Sequence, residues 1–177
     1  MTLPASTLPR VLLAVLVLTL VVTGAATAAS LLRGPPSPRL AASVPQDRGE
    51  PGALEVLHAW DARRAAAWAA GDVGALRALY VPGARAGRRD VAMLRAWERR
   101  DVRVRGLRMQ VLAVRVLARS GHRLVLLVTD RLAGGTAVRG SLRTPLPRDR
   151  ATTRRIAFSA SGGRWRVAAV GPAPPTG

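Results

Sequence analysis

From Val11 to Val22 the chain reads VLLAVLVLTLVV, apolar at every position except Thr19. Nothing polar faces any side of such a run, so it reads less well as a core helix with one solvated stripe than as a segment bound for a membrane. Arg10 precedes it, small residues follow from Gly24 to Ser30, and Ala26-Thr27-Ala28 offers an A-x-A-like cleavage site. That is the pattern of a secretory signal. The uncharged stretch continues to Leu32, and about 20 such residues suffice to cross the hydrocarbon core of a bilayer. A cleaved signal and a retained anchor both fit; the length of the uncharged stretch favours the anchor. The expected location is the cell membrane, single pass, with the following domain outside the cytoplasm, or secretion if the segment is removed. Arg33 and Arg39 lie beyond the segment, so the positive-inside rule adds little.

The next stretch, RGPPSPRLAASVPQDRGEPG, is dominated by Pro, Gly, Ser and charge. It cannot bury a core and is expected to be a linker. The organisation is therefore residues 1–32 as signal or anchor, 33–52 as linker, 53–171 as one domain and 172–177 as a disordered tail. About 125 residues beyond the linker suit a single domain with a real core. The chain has no cysteine. That excludes a disulfide framework, a thiolate metal site, a Cys nucleophile and a lipidated Cys.

Ala53 to Ala70 is rich in Ala, Leu and Arg without an internal Gly or Pro, and predicts a helix. Leu57, Trp60, Arg64 and Ala67 share one face, and Gly71 stands where a left-handed cap is wanted. Asp72 is placed to cap a second, short helix through Tyr80, which Pro82 and Gly83 stop. Asp90 reads as a further N-cap, opening a third helix to about Arg100. From Val102 the pattern turns strand-like. Apolar parity shifts between Met109 and Val114, which predicts a bulge near Gln110 to Leu112. Turns are expected at Ser120-Gly121-His122, Ala133 to Thr136 and Ser161-Gly162-Gly163. Strands are expected over Leu124 to Thr129, Thr152 to Ala160 and Arg164 to Val170, with Leu142 to Arg150 as a loop or edge. In the strand from Thr152, Arg154, Ile156 and Phe158 share a side. The fold class that follows is α+β: three N-terminal helices packed on one face of a curved antiparallel sheet of about four strands.

The run HAWDARRAAAWAAGDVGALRALY, from His58 through Tyr80, resembles the opening of the nuclear transport factor 2-like superfamily, with its SnoaL-like and ketosteroid-isomerase-like groups. The closing GGRWRVAAV resembles that superfamily's last hairpin. The resemblance covers roughly Leu54 to Val170. It implies a cone-like fold with an apolar pocket between sheet and helices, lined here by Trp60, Tyr80, Trp97, Phe158 and Trp165. It also implies a pair of groups for enolisation in the catalytic members: an acid just after the second helix and a phenol on the first. The segment VPGARAGRR after the second helix holds no acid, and the first helix holds no phenol. Proton abstraction beside a carbonyl needs both a base and an oxyanion donor, and the matched positions do not supply them.

Weaker candidates for acid–base chemistry are His58 with Asp61, one turn apart on the first helix, and Asp130 at the end of a hydrophobic strand. A surface pair and a strand-end salt bridge are their commoner roles. His122 falls in a turn, and two histidines so placed make no metal site. No cofactor is implied.

The net charge is +18, and all 28 basic residues are Arg. A GC-rich coding bias accounts for part of this, yet the charge still favours anionic lipid or wall polymer. Arg is spread along the whole domain and aromatics make up 3%, so there is no stacking platform for nucleic acid. The expected function is a non-catalytic accessory or binding domain of an envelope assembly. It would be held to the membrane by its N-terminal helix, with an envelope protein as partner. A small-molecule isomerase or cyclase using the cone, and a binder of anionic lipid or polymer, are the competing readings. Homodimerisation through the sheet face is what the resemblance suggests.

Overall fold

The computed structural model describes residues 51–173. The Val11–Leu32 segment, most of the linker and residues 174–177 lie outside the described residues. Among the described residues no helix is long and apolar enough to cross a membrane.

Helix α1 spans Ala53–Ala70. Glu55 accepts a hydrogen bond from the Gly52 N–H, which helps fix the start. Gly71 ends it in the left-handed conformation, at φ 70°. Its buried face carries Val56, Leu57, Trp60, Ala67 and Trp68. Asp72 caps α2, Val73–Ala78, by accepting from the Ala75 N–H at 2.8 Å.

Helix α3 spans Arg85–Glu98 and starts six residues earlier than Asp90 as a cap would place it. Asp90 instead sits inside the helix and is buried. The run of Arg, Ala and Gly before it reads as loop by composition, yet it contains no Pro and can continue a helix. Gly87 is what tertiary packing needs there: a Cβ at this position would stand 2.6 Å from Cγ of Tyr80. The local cost of a helical glycine is offset by this close approach.

Among the described residues the sheet has five strands: β1 Arg103–Ser120, β2 Arg123–Arg139, β3 Leu142–Pro145, β4 Thr152–Ser161 and β5 Arg164–Pro172. The order is β1-β2-β4-β5, with short β3 pairing the far end of β2. All these pairs are antiparallel. The β1–β2 register skips between Val111 and Ala113, leaving Leu112 as the bulged residue where the apolar parity changes. Further irregularities lie between Arg105 and Met109 and between Val116 and Ala118. Each adds local bend and twist, and together they curl the sheet.

Strand β2 runs straight through Ala133–Thr136, where a turn was expected; the chain reverses at Gly140-Ser141 instead. Gly135 serves packing rather than reversal, since a Cβ there would come within 2.9 Å of the buried Leu146. The inner sheet face presents Leu124, Leu126, Val128, Ile156, Phe158 and Val167, all buried. Helix α1 lies along β1 with opposite direction: Arg119 donates to the Pro51 carbonyl at 2.8 Å at one end, and Gly71 faces Arg103 at the other.

Candidate functional site

Among the described residues, two polar clusters lie inside the domain. The first is built where α1, the end of α2 and α3 meet. Arg64 donates to Asp90 twice, from Nε to Oδ2 and from Nη2 to Oδ1, each at 2.7 Å. Tyr80 Oη donates to Oδ2 at 2.7 Å and Trp68 Nε1 to Oδ1 at 3.2 Å. The carboxylate is 6% exposed, and four donors converge on its two oxygens. Burial alone would raise the Asp90 pKa, but the charge and hydrogen bonds of Arg64, with those of Tyr80 and Trp68, outweigh it and hold the carboxyl below the usual range. Burial and the Asp90 charge push the Tyr80 phenol up from its ordinary value. The Arg64 guanidinium lies 6.0 Å from the Trp60 ring and 5.9 Å from the Trp68 ring. The spacing Trp60, Arg64, Trp68 puts the three one above another on α1. Sequence reasoning missed this network. Its signal was a charged residue in phase with an apolar stripe.

The second cluster lies between α1 and the inner face of the sheet. Asp130, 1% exposed, accepts from Arg154 Nη2 at 2.5 Å. Oδ1 of Asp130 and Nε of Arg154 are buried and have no hydrogen-bond partner among the described residues. Asp61 of α1 is half-buried. Burial pushes its carboxyl up to about 6, against the lowering charges of Arg154 and Arg64 and with a further push from Asp130. The pairing of Asp130 is with Arg154, on the neighbouring strand β4, and not with the adjacent Arg131, which donates to Gln110 Oε1 at 2.8 Å. The signal for this pair was Arg154 lying in phase with Ile156 and Phe158.

The other singled-out residues are placed as follows. Trp60 is buried, donates from Nε1 to the Leu79 carbonyl at 3.3 Å, and meets Tyr80 and Phe158 edge to face. Trp97 is buried against Trp68, ring centroids 6.3 Å apart. Trp165 is half-buried and faces an outer groove beside α1 and α2. His58 is exposed on α1, where its charge is among the influences on Asp61. His122 is exposed in the β1–β2 turn. Among the described residues no group of His, Asp and Glu could hold a metal ion.

Leu79 to Val81 join the sheet directly. Val167 N–H donates to the Leu79 carbonyl and Val81 N–H to the Val167 carbonyl, both at 2.9 Å. A long helix closed by Gly-Asp, a short helix running into Leu-Tyr, a third helix, and a bent antiparallel sheet closed by a Gly-Gly hairpin are thus all in place. The domain has the nuclear transport factor 2-like fold. No family model matches the chain, and no curated protein matches it. Among solved structures, the intermembrane space region of the chloroplast protein ARC6 is similar at 12% identity, covering 67% of this chain and 92% of that one, with a TM-score of 0.47. The beta subunit of benzoate 1,2-dioxygenase from Burkholderia mallei is similar at 14% identity, covering 64% and 85%, with a TM-score of 0.44. A protein of the NTF2-like family from Streptomyces avermitilis is similar at 12% identity, covering 69% and 97%, with a TM-score of 0.43. The order and register of the elements themselves carry this fold. A fold of this kind does not by itself choose a function.

Proposed function

We propose that the chain is a membrane-tethered, extracytoplasmic, non-catalytic accessory or binding domain of an envelope assembly. The observation that supports this most is the closure of the Asp90 network. The segment after α2 carries no acid, and the acid that follows it spends both oxygens on Arg64, Tyr80 and Trp68. A carboxylate so held is a poor proton acceptor. The aromatic residues toward the interior pack on one another. The Val11–Leu32 segment and its linker supply the tether in this reading. The test is a pull-down of the tagged full-length chain from detergent-solubilised membranes, with mass spectrometry of partners and of its own N-terminus. A stable envelope partner and an intact N-terminal segment are expected. An N-terminus beginning near Ala29, with no partner, would sink the reading.

A second reading, an enzyme of the isomerase or cyclase type, is favoured by Asp61. A carboxyl pushed up to about 6 suits proton transfer near neutral pH, and Arg154 stands close enough to act on it electrostatically. The check is deuterium exchange at the carbon beside a small ketone, expected with the native chain and lost in Asp61→Asn. Exchange absent from both would remove this reading.

A further inference from the structure

On the outside of the domain, a groove of about 510 Å³ separates α1 and α2 from the start of β5. Its floor is made of small side chains such as Ala66 and Ala70, and Trp165 forms part of its wall. Arg63, Arg164 and Arg166 stand around it. The one carboxylate among its lining residues, Asp72, is already occupied in capping α2. Nε of Arg166 is buried and has no hydrogen-bond partner among the described residues. The groove therefore carries an excess of positive charge over an apolar bed.

Strand β5 ends the sheet order. Residues of an antiparallel strand alternate between pointing their N–H and C=O toward the neighbour and away from it. Val167 points both groups away from β4, where Leu79 and Val81 take them. Trp165, two residues earlier, therefore points its own N–H and C=O to the same outer edge. Gly162 and Gly163, at φ 57° and 70°, close a two-residue hairpin that keeps Ser161 paired with Arg164, in agreement with this alternation. Leu79 to Val81 thus begin an edge pairing that stops just short of Trp165, and the groove runs on from there.

We infer that the β5 edge at Trp165, beside this groove, receives an acidic segment of a protein partner in extended form. The partner's backbone pairs with Trp165, as in strand addition to a sheet edge. Cross-strand neighbours share a face of the sheet. Acidic side chains at every second position of the segment then meet Arg164 and Arg166, and the intervening apolar ones lie toward Trp165 and the alanine floor. The inference deepens the accessory-domain reading, on which it rests, by naming the chemistry of the partner and where it docks.

The probe is a short blocked, fluorescent peptide of alternating glutamate and valine, titrated against the full-length chain in nanodiscs of zwitterionic lipid. Binding is expected, with slowed hydrogen exchange at the Trp165 amide. Affinity should fall by about tenfold or more in Arg164→Glu/Arg166→Glu. It should also fall in Ala66→Glu, which adds negative charge from the α1 side of the groove and keeps the test open if the double variant folds poorly. A backbone-methylated version of the peptide should not bind. Failure of the acidic peptide to bind, equal binding of the methylated one, or protection of Trp165 by phosphatidylglycerol vesicles in place of the peptide would each overturn the inference. A partner captured equally by the native chain and by both variants would leave the accessory reading standing and remove this one.

Discussion

Arg64 and Asp90 meet across the α1–α3 contact through two N–H···O bonds of 2.7 Å each, with the guanidinium set between the rings of Trp60 and Trp68. Both charges are largely withdrawn from water, at 16% and 6% side-chain exposure. Taking two ions out of water is unfavourable, and their attraction repays it only when geometry is good and the remaining donors and acceptors are satisfied. Here Tyr80 and Trp68 complete the carboxylate. The network ties α1, α3 and the end of α2 to one ion pair, which makes it a device for fixing their mutual placement.

Removing one member alone should be far worse than removing the pair. Asp90→Ala leaves a buried guanidinium without its counter-ion and should lower stability by about 3–5 kcal/mol. The double replacement Arg64→Met with Asp90→Leu should lose much less than the sum of the two single changes, because neither charge is then stranded. Urea denaturation of the four species at neutral pH measures this directly. An additive double variant would show that the pair is not coupled. The folded Asp90 has a depressed pKa, so its contribution is present above the unfolded value and is lost as pH falls through the folded one. The native chain should therefore lose this stabilisation only below about pH 4.

Gly87 offers a steric test of the same network. Its absent side chain lets the Tyr80 ring lie against α3, and a Cβ there would meet Cγ and Cβ of Tyr80 at 2.6 and 2.7 Å. Helix propensity alone predicts that Gly87→Ala stabilises by up to about 1 kcal/mol. Overpacking against a buried ring predicts a loss of about 1–3 kcal/mol. The second should win, since the ring is buried and tethered by its bond to Asp90. A rise in melting temperature for Gly87→Ala would show the ring to be more compliant than this packing implies.

The elements were legible where local chemistry and tertiary packing agree. Helix α1 with its Gly71 cap, the Asp72 cap, the bulge at Leu112 and the Gly162-Gly163 hairpin all follow from residues within a few positions of one another. The misreadings share one cause. Gly87, Gly134 and Gly135 look like breakers in a local window, but Gly87 and Gly135 are there because a distant side chain, Tyr80 or Leu146, comes too close for a Cβ. Asp90 looks like a cap for the same reason: a carboxylate at a helix start is the commoner case, and its partners lie on other elements. Both interior ion pairs left a trace in the periodicity. Arg64 falls in the apolar stripe of α1, and Arg154 falls in step with Ile156 and Phe158. The partner of each could not be read from the chain, because it depends on how the helices and strands pack.

Asp130 is the more vulnerable to loss of its partner. It is 1% exposed, and Arg154 is the residue that donates to it. Arg154→Ala should lower stability by about 3–5 kcal/mol at neutral pH. It should also raise the pKa of Asp61, because Arg154 is the largest of the charges that lower it. A ¹³C carboxyl titration of Asp61 in the two chains reads the second effect independently of the first. An unmoved Asp61 would mean that Arg154 does not act on it, and would weaken the enzyme reading as well.

Asp61 itself should be a site where the native residue costs stability. Its pKa rises from 3.8 to about 6 on folding, so the folded chain binds the proton more tightly than the unfolded one. Stability from this group is fully present below about pH 4 and is lost as pH rises through about 6. At pH 8 the ionised carboxyl opposes folding, by about 1.4 kcal/mol for every tenfold gain in proton affinity that folding brings. Asp61→Asn cannot ionise. It should be about 1–3 kcal/mol more stable than the native chain at pH 8 and nearly equal to it at pH 4. Denaturant unfolding at the two pH values makes the comparison, and the difference between them, rather than either value alone, isolates the charge from the change of shape. A carboxylate kept in place at that expense is what a working group, rather than a packing residue, would look like. If instead the advantage of Asp61→Asn over the native chain is no larger at pH 8 than at pH 4, the carboxyl is solvated in the folded chain, and the interior cluster reduces to the Asp130–Arg154 pair alone.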